Sequence, residues 1–313
     1  MNRRDAILAL GTDGFVQTRL PAAFFMHFDP EFHLGQSAVK KHLEYFRYTG
    51  MDLAKIQYER KFPFDPTIQK PTDWRRIRPL QKAFFEPMLE AVDGIVEALG
   101  SEAVVIVTLY SPFMCAGHLA GADALAAHIA EEPAAVAAGM QVVTDSLMVF
   151  VEACMQLGVD GFYHSTQGGE QGRLAAPDLF HHCVRPYDLQ VMNEVNRRCR
   201  FNVLHICDYH APYDDLSPFV EYPGSVVNCS VEVGGRRLTG GEIAAMFGRP
   251  FMGGLDRKGA ISTGTVDEAR SETRDALGRI TAPTIVAADC TLLPGAPWEN
   301  VRAAIEEAHS WRP

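Results

Sequence analysis

Short apolar runs recur along the chain, and amphipathic stretches separate them. The runs are too short for buried helices and end at Gly, Pro or charged residues, which is typical of buried strands. We therefore predict eight strands, at 20–28, 51–58, 103–110, 158–165, 202–207, 225–231, 250–256 and 283–290. The intervening stretches predict helices at 4–14 (with Gly11 and Gly14 at its end), 37–50, 87–100, 121–158 with a break near Pro133, 177–198, 240–247, 265–278 and 297–310.

Strands that alternate with helices in this way indicate an α/β protein with a parallel sheet. About eight such units over 313 residues predict a (β/α)8 TIM barrel. A doubly wound sheet is the alternative, but no Gly-x-Gly-x-x-Gly follows the first predicted strand. No linker rich in Pro, Gly or Ser divides the chain, so we expect one domain over residues 1–313.

Charge and composition exclude some classes of protein. A net charge of −10 argues against a nucleic-acid-binding surface, which would be basic. The N-terminus lacks the pattern of a signal peptide, and no run of about 18 apolar residues predicts a membrane span. Seven scattered cysteines in a chain of this size predict buried, catalytic or metal-binding thiols rather than disulfides. We therefore expect a cytoplasmic protein that binds neither nucleic acid nor membrane.

Cysteine and histidine cluster at predicted strand ends. His205 and Cys207 are two residues apart at the end of a strand, so their side chains point to the same side. Cys290 ends the last predicted strand, and the mouth of a barrel collects such ends. An imidazole and two thiolates are zinc ligands. The fourth position is left open between Cys229, Glu232, and water or substrate.

Other polar residues near strand ends are candidates for the same site. Asp208 and Asp289 stand beside the proposed ligands, where a carboxylate could orient the imidazole or could simply be solvated. Tyr110 and His164 end two further strands. Weaker candidates are His27, Asp29, the Gly-rich loop at 165–172, and Arg257 with Lys258, which could meet an anionic substrate group.

The sequence resembles the uroporphyrinogen decarboxylase superfamily, and within it the zinc-dependent methyltransferase branch. The resemblance lies in "LHICD", "DCTLLPGAPWENVRAAIE", "YSPFMCAG", "DLFHHCVRPYDLQVMNEV" and "FMGGLDRKGAISTGTVDEARSETRDAL". It implies a barrel and a Zn²⁺ ion that activates a small-molecule thiol for methylation, with a methylated corrinoid, on a partner corrinoid protein, or a methylated folate as donor. It also suggests a homodimer. The His-x-Cys and late Cys are similar to the zinc site of cobalamin-independent methionine synthase, in which a glutamate helps; here the matching position is Cys229.

Departures from the decarboxylase pattern separate the branches. True decarboxylases carry an arginine-containing segment near the N-terminus that would hold substrate carboxylates, whereas "FMHFDPEFH" contains no arginine. Their aspartate after the next strand is replaced here by Tyr58 and Glu59, and their final Gly-His-Gly by Asp289-Cys290-Thr291. Tetrapyrrole decarboxylation is therefore the alternative function, and metal or corrinoid binding without turnover is a third.

Overall fold

The computed structural model describes residues 2–12 and 17–312, so Gly14 of the first predicted helix lies outside the described residues. Its strands are β1 (Leu53–Ile56), β2 (Val104–Tyr110), β3 (Gly161–Thr166), β4 (Val203–Ile206), β5 (Val226–Cys229), β6 (Glu232–Val233), β7 (Arg236–Arg237), β8 (Phe251–Leu255) and β9 (Thr284–Ala288). Seven of them form a parallel sheet in the order β1-β2-β3-β4-β5-β8-β9, and β6 and β7 form an antiparallel pair. This order follows the chain without the reversal of a doubly wound sheet. The predicted α/β barrel-like fold is confirmed.

The helices cover the outside of this sheet, because each crossover between parallel strands packs an apolar face against it. They are α1 (Arg3–Leu8), α2 (Gly35–Thr49), α3 (Lys82–Leu99), α4 (Pro112–Ala120), α5 (Ala122–Glu131), α6 (Pro133–Gln156), α7 (Pro177–Cys183), α8 (Arg185–Arg198), α9 (Gly240–Phe247), α10 (Ala260–Thr263), α11 (Val266–Leu277) and α12 (Trp298–Ser310). Short 3-10 helices occur at Pro30–Phe32, Pro71–Arg76 and Ser217–Phe219.

The predicted first strand, 20–28, occupies the gap between β1 and β9 without forming a regular strand. On one side the N–H of Ala23 donates to the carbonyl of Val286 at 3.0 Å. On the other side the N–H of Asp52 donates to the carbonyl of Ala22 at 2.9 Å. Pro21 has no N–H, and the carboxylate of Asp52 accepts the N–H of Ala22, so a continuous ladder cannot form. The segment therefore contacts the β9 side through isolated bridges and the β1 side through the Asp52–Ala22 hydrogen bond.

Proline sets the helix breaks. The chain separates α5 from α6 at Pro133, as predicted, because the ring of a proline is compatible only with the first turn of a helix. The predicted continuous helix 177–198 is wrong for the same reason: it divides at Val184, and Pro186 lies in the first turn of α8.

One described helix, α6, is long and apolar enough to cross a membrane by length and composition alone. In its most apolar window, 56% of the residues are buried within the protein. The helix packs against α3, α4 and α8. Burial of this kind is typical of a core helix, so the composition of α6 is weak evidence for a membrane span.

Candidate metal centre

Three side chains that are far apart in the sequence meet at the carboxyl end of the sheet. His205 lies on β4, Cys207 follows that strand directly, and Cys290 follows β9. One ligand atom from each residue lies within 4.8 Å of the other two, and Sγ of Cys290 is 3.3 Å from Nε2 of His205. His205 and Cys207 are 1% and 5% exposed, so the donors face the interior of the protein.

The spacing of these atoms fits a tetrahedral zinc ion. Zn–S bonds of about 2.3 Å at a tetrahedral angle place two sulfurs about 3.8 Å apart, and a shorter Zn–N bond brings an imidazole nitrogen slightly closer. The S–N distance of 3.3 Å and the 4.8 Å limit on the group agree with these values. Two thiols and one imidazole also suit zinc better than they suit harder cations such as Mg²⁺ or Ca²⁺, which prefer oxygen ligands.

Strand register explains which predicted ligands belong to this group. His205 is paired with Asn228, whereas Cys229 is paired with Ile206, so Cys229 points to the opposite face from His205. Cys229 is buried, and burial raises the pKa of its thiol, which keeps it protonated. Glu232 lies on the exposed β6–β7 hairpin and accepts a hydrogen bond from Arg237 at 2.7 Å. Among the described residues, the structure brings neither Cys229 nor Glu232 to the three donors.

Hydrogen bonds favour the thiolate form of Cys207. Cys290, His205 and Gln167 surround its sulfur, and together they lower the pKa of Cys207 well below its usual value, although burial opposes them. Nε2 of Gln167 donates to this sulfur at 3.4 Å. The hydrogen bond with Cys207 raises the pKa of the neighbouring Cys290 thiol, and burial and the negative charge on Cys207 add to this effect, so one proton is retained by the pair.

Gln167 was not among the sequence candidates, although its loop was. The loop at 165–172 directly follows β3, and a positive φ of 105° at Gly168 turns the chain sharply there. The N–H of Gly168 donates to the carboxylate of Glu170 at 2.5 Å, which holds the turn. Burial raises the pKa of Glu170 to about 7. The only sequence signal for this arrangement is a Gly-rich loop at a strand end.

Asp208 and Asp289 do not orient the imidazole, contrary to one sequence expectation. Both carboxylates instead contact Nη1 of Arg257, at 2.6 Å and 3.2 Å. Nδ1 of His205 is buried and has no hydrogen-bond partner among the described residues. Burial raises the pKa of Asp289 to about 6, although Arg257 opposes the shift. Two acids therefore balance the charge of Arg257, and its contact with a substrate anion stays a prediction.

Tyr110 and His164 lie on different sides of the sheet. Tyr110 is paired with Ser165, which is in turn paired with His205, so all three share the inner face. Burial raises the pKa of the Tyr110 hydroxyl, and negative charge at Glu59 and Cys207 adds to this effect. His164 points the other way, toward the helices, and neither of its ring nitrogens has a hydrogen-bond partner in the described part of the chain. Burial lowers the pKa of His164 to about 3, so the ring is neutral.

Two charged residues near the centre were not predicted as site residues. Glu59 accepts a hydrogen bond from Nδ1 of His27 at 2.7 Å, just beyond β1. Lys55 lies on the inner face of β1, with Nζ 4.4 Å from the ring centroid of Tyr163 and 4.6 Å from that of Phe25. The Tyr163 ring stacks on His205 at 4.8 Å. No sequence pattern marks a lysine inside a predicted apolar strand as part of a site.

The chain is similar to known proteins in sequence and in structure. The chain is 23% identical to the methylated-thiol–coenzyme M methyltransferase of Methanosarcina mazei over 70% of this chain, a match that spans 56% of the relative's length. A methyltransferase structure from Methanosarcina mazei superposes with a TM-score of 0.75 at 15% identity, covering 98% of each chain.

A B12-independent methionine synthase from Shewanella sp. W3-18-1 superposes with a TM-score of 0.55 at 10% identity, covering 92% of this chain and 97% of the other. These structures support the barrel-like fold. The sequence profile of uroporphyrinogen decarboxylase (URO-D) matches residues 49–311, which is most of the chain. This protein is therefore a member of the uroporphyrinogen decarboxylase family.

Proposed function

We propose that this protein is a zinc-dependent methyltransferase that methylates a small-molecule thiol. The observation that carries the proposal is the convergence of His205, Cys207 and Cys290, with ligand atoms within 4.8 Å of one another. A purely structural zinc site would have four protein ligands, whereas three leave a position for a substrate. The curated relative is named as a thiol methyltransferase, which favours the same chemistry.

In this mechanism Nε2 of His205 and the sulfurs of Cys207 and Cys290 hold the ion. Zinc, when bound, supplies a Lewis acid that stabilises the thiolate form of the acceptor at neutral pH. The hydrogen bond from Gln167 fixes the direction of the Cys207 sulfur. Tyr110, on the inner face, and the buried ring of Tyr163, which stacks on His205, would limit the access of water to the reacting sulfur.

The reaction transfers a methyl group without its bonding electrons. The acceptor sulfur provides the electron pair of the new S–C bond. The bond from the methyl carbon to the donor breaks, and its electron pair stays with the donor. A methylated corrinoid, carried by a partner corrinoid protein, and a methylated folate both meet this requirement. The proton of the acceptor thiol leaves to solvent or to a base at the mouth, where the His27–Glu59 pair lies.

The metal assignment is tested on protein purified without added metal. We expect about one zinc per chain by elemental analysis, and we expect Cys207→Ser and Cys290→Ser to lose most of it. Cys199→Ser is the matched control, because this free cysteine lies between α8 and the amino end of β4, whereas the donors lie at the carboxyl end of the sheet. Full zinc occupancy in both ligand variants would overturn the site.

The activity is tested by the demethylation of methylcobalamin, and separately of methyltetrahydrofolate, with a panel of thiols. Turnover that depends on zinc and on Cys207 is the expected result. Protein that holds zinc but converts neither donor would contradict the proposed reaction and favour a binding role.

A further inference from the structure

We propose that Arg257 is a positioning residue that sets the distance between Cys207 and Cys290. The inference rests on the proposed metal site and extends it to a residue outside the donor set. Its basis is an arrangement of three charged side chains, in which each acid is the immediate chain neighbour of one cysteine. Asp208 follows Cys207, and Asp289 precedes Cys290.

The arginine connects the two acids directly. Nη1 of Arg257 lies 2.6 Å from Oδ1 of Asp208 and 3.2 Å from Oδ2 of Asp289. The backbone N–H of Arg257 also donates to Oδ1 of Asp289 at 2.8 Å. The Arg257 side chain is only 7% exposed, so these charge-assisted bonds are partly shielded from solvent.

The sheet by itself does not set this distance. In the strand order, β5 and β8 lie between β4 and β9, so no backbone hydrogen bond joins the two strands that carry the cysteines. Cys207 and Cys290 also both lie beyond the last residue of their strands. Arg257 follows β8, the strand next to β9, and therefore approaches both ends from between them.

The backbone of Arg257 is itself held in place. The N–H of Asp289 donates to the carbonyl of Leu255 at 2.9 Å, which continues the β8–β9 ladder to the acid. The turn after β8 closes through the N–H of Gly259, which donates to the carbonyl of Asp256 at 2.9 Å. A fixed backbone limits the positions that the guanidinium can reach, so Arg257 holds Asp208 and Asp289 at a fixed separation.

Loss of the guanidinium would leave two carboxylates facing each other without a counter-charge. Their repulsion would separate the strand ends that carry the thiols. Removal of a residue that holds metal ligands in place without binding the metal itself typically lowers metal affinity 10- to 100-fold, and we expect loss of the Arg257 guanidinium to have an effect of about this size.

The test compares Arg257→Gln with wild type by competition for zinc against a chromogenic chelator. We expect the zinc dissociation constant to rise about 10- to 100-fold in Arg257→Gln. Lys258→Ala, at the exposed neighbouring residue, should bind as wild type does. Arg257→Lys, which retains the charge, should recover part of the affinity. An Arg257→Gln dissociation constant within about twofold of that of wild type, well below the expected tenfold increase, would overturn the inference.

A second measurement needs no metal and separates this inference from the proposed function. Phenylarsine oxide binds a protein tightly only where two thiols lie close together. In chelated protein, wild type should bind it through Cys207 and Cys290, and Arg257→Gln should bind it more slowly. If wild type holds no zinc, the proposed function fails, and the arsenical comparison alone decides the role of Arg257. Asp208→Asn, which keeps the shape of the acid, should show the same defect if Arg257→Gln does not fold.

Discussion

Replacement of Lys55 by methionine should stabilise the protein. Lys55 is 6% exposed on the inner face of β1, and its ammonium group lies over two aromatic rings. No carboxylate among the described residues forms an ion pair with it. Burial lowers its pKa from 10.5 to about 7, although the Cys290 and Glu59 charges oppose the shift. Methionine has a similar shape and no charge to bury, so the packing should be nearly conserved.

The expected size and sign follow from the two pKa values of Lys55. At about 1.4 kcal/mol per pKa unit, a fall from 10.5 to about 7 corresponds to about 5 kcal/mol of destabilisation. Below pH 7 both the folded and the unfolded states carry the charge, so the whole penalty is present. Between pH 7 and 10.5 the unfolded state binds more protons, so stability rises with pH and the penalty disappears. Cation–π contacts, worth about 2 kcal/mol when desolvated, reduce the net gain.

Denaturant unfolding at several pH values measures this difference. We expect the advantage of Lys55→Met over wild type to shrink by about 3 kcal/mol between pH 7 and pH 9.5. Because the loss of packing enters mainly as a constant, the change with pH isolates the terms that depend on the protonation of Lys55. Lys40→Met, on the exposed face of α2, should show no such change. An advantage of equal size at pH 7 and pH 9.5 would refute the reasoning.

Two further changes test the site and the sheet. Gln167→Ala removes a donor to the Cys207 sulfur, so the pKa of Cys207 should rise and the pH profile of iodoacetamide alkylation of chelated protein should move to higher pH, whereas the exposed Gln171→Ala should not differ from wild type. Gly161→Ala places a Cβ 1.8 Å from the carbonyl oxygen of Phe201 and should lower the free energy of unfolding by about 3 kcal/mol. Gly117→Ala, where the nearest atom is 3.6 Å away, should be close to neutral, and equal stability of the two alanine variants would contradict this account.

The fold and the three donors could be predicted because both depend on local periodicity. Apolar runs of strand length recur between helical stretches, which defines a parallel sheet whose carboxyl ends meet at one side. Two-residue spacing places His205 and Cys207 on one side of a strand end, and the same alternation excludes Cys229 once the register is known. The predicted first strand, 20–28, has the correct place but not regular pairing, because Pro21 and Asp52 alter its hydrogen bonds.

The residues that the sequence did not indicate act through tertiary contacts. In the sequence, Lys55 is a polar residue within an apolar strand, and only the folded structure shows that it faces the rings of Phe25 and Tyr163. From the sequence, Asp208 and Asp289 could contact the imidazole, because residues next to metal ligands in the chain often form hydrogen bonds with those ligands. Their actual partner, Arg257, comes from a third strand end. Side-chain direction beyond the last strand residue depends on loop geometry that periodicity does not describe.

The two buried cations near the donors have different roles, and their partners show why. Arg257 forms ion pairs with two carboxylates, and its charge also favours the Cys290 thiolate. Lys55 has no ion-pair partner within residues 2–12 and 17–312, and negative charge on Cys290 and Cys207 favours its protonated form. Because this coupling is reciprocal, protonated Lys55 must equally favour the thiolates. Lys55 therefore lowers stability and supports sulfur charge at once, a trade-off typical of functional sites. Lys55→Met should gain stability while the pH profile of Cys207 alkylation by iodoacetamide in chelated protein moves to higher pH; an unchanged profile would remove the proposed link between the lysine and the thiols.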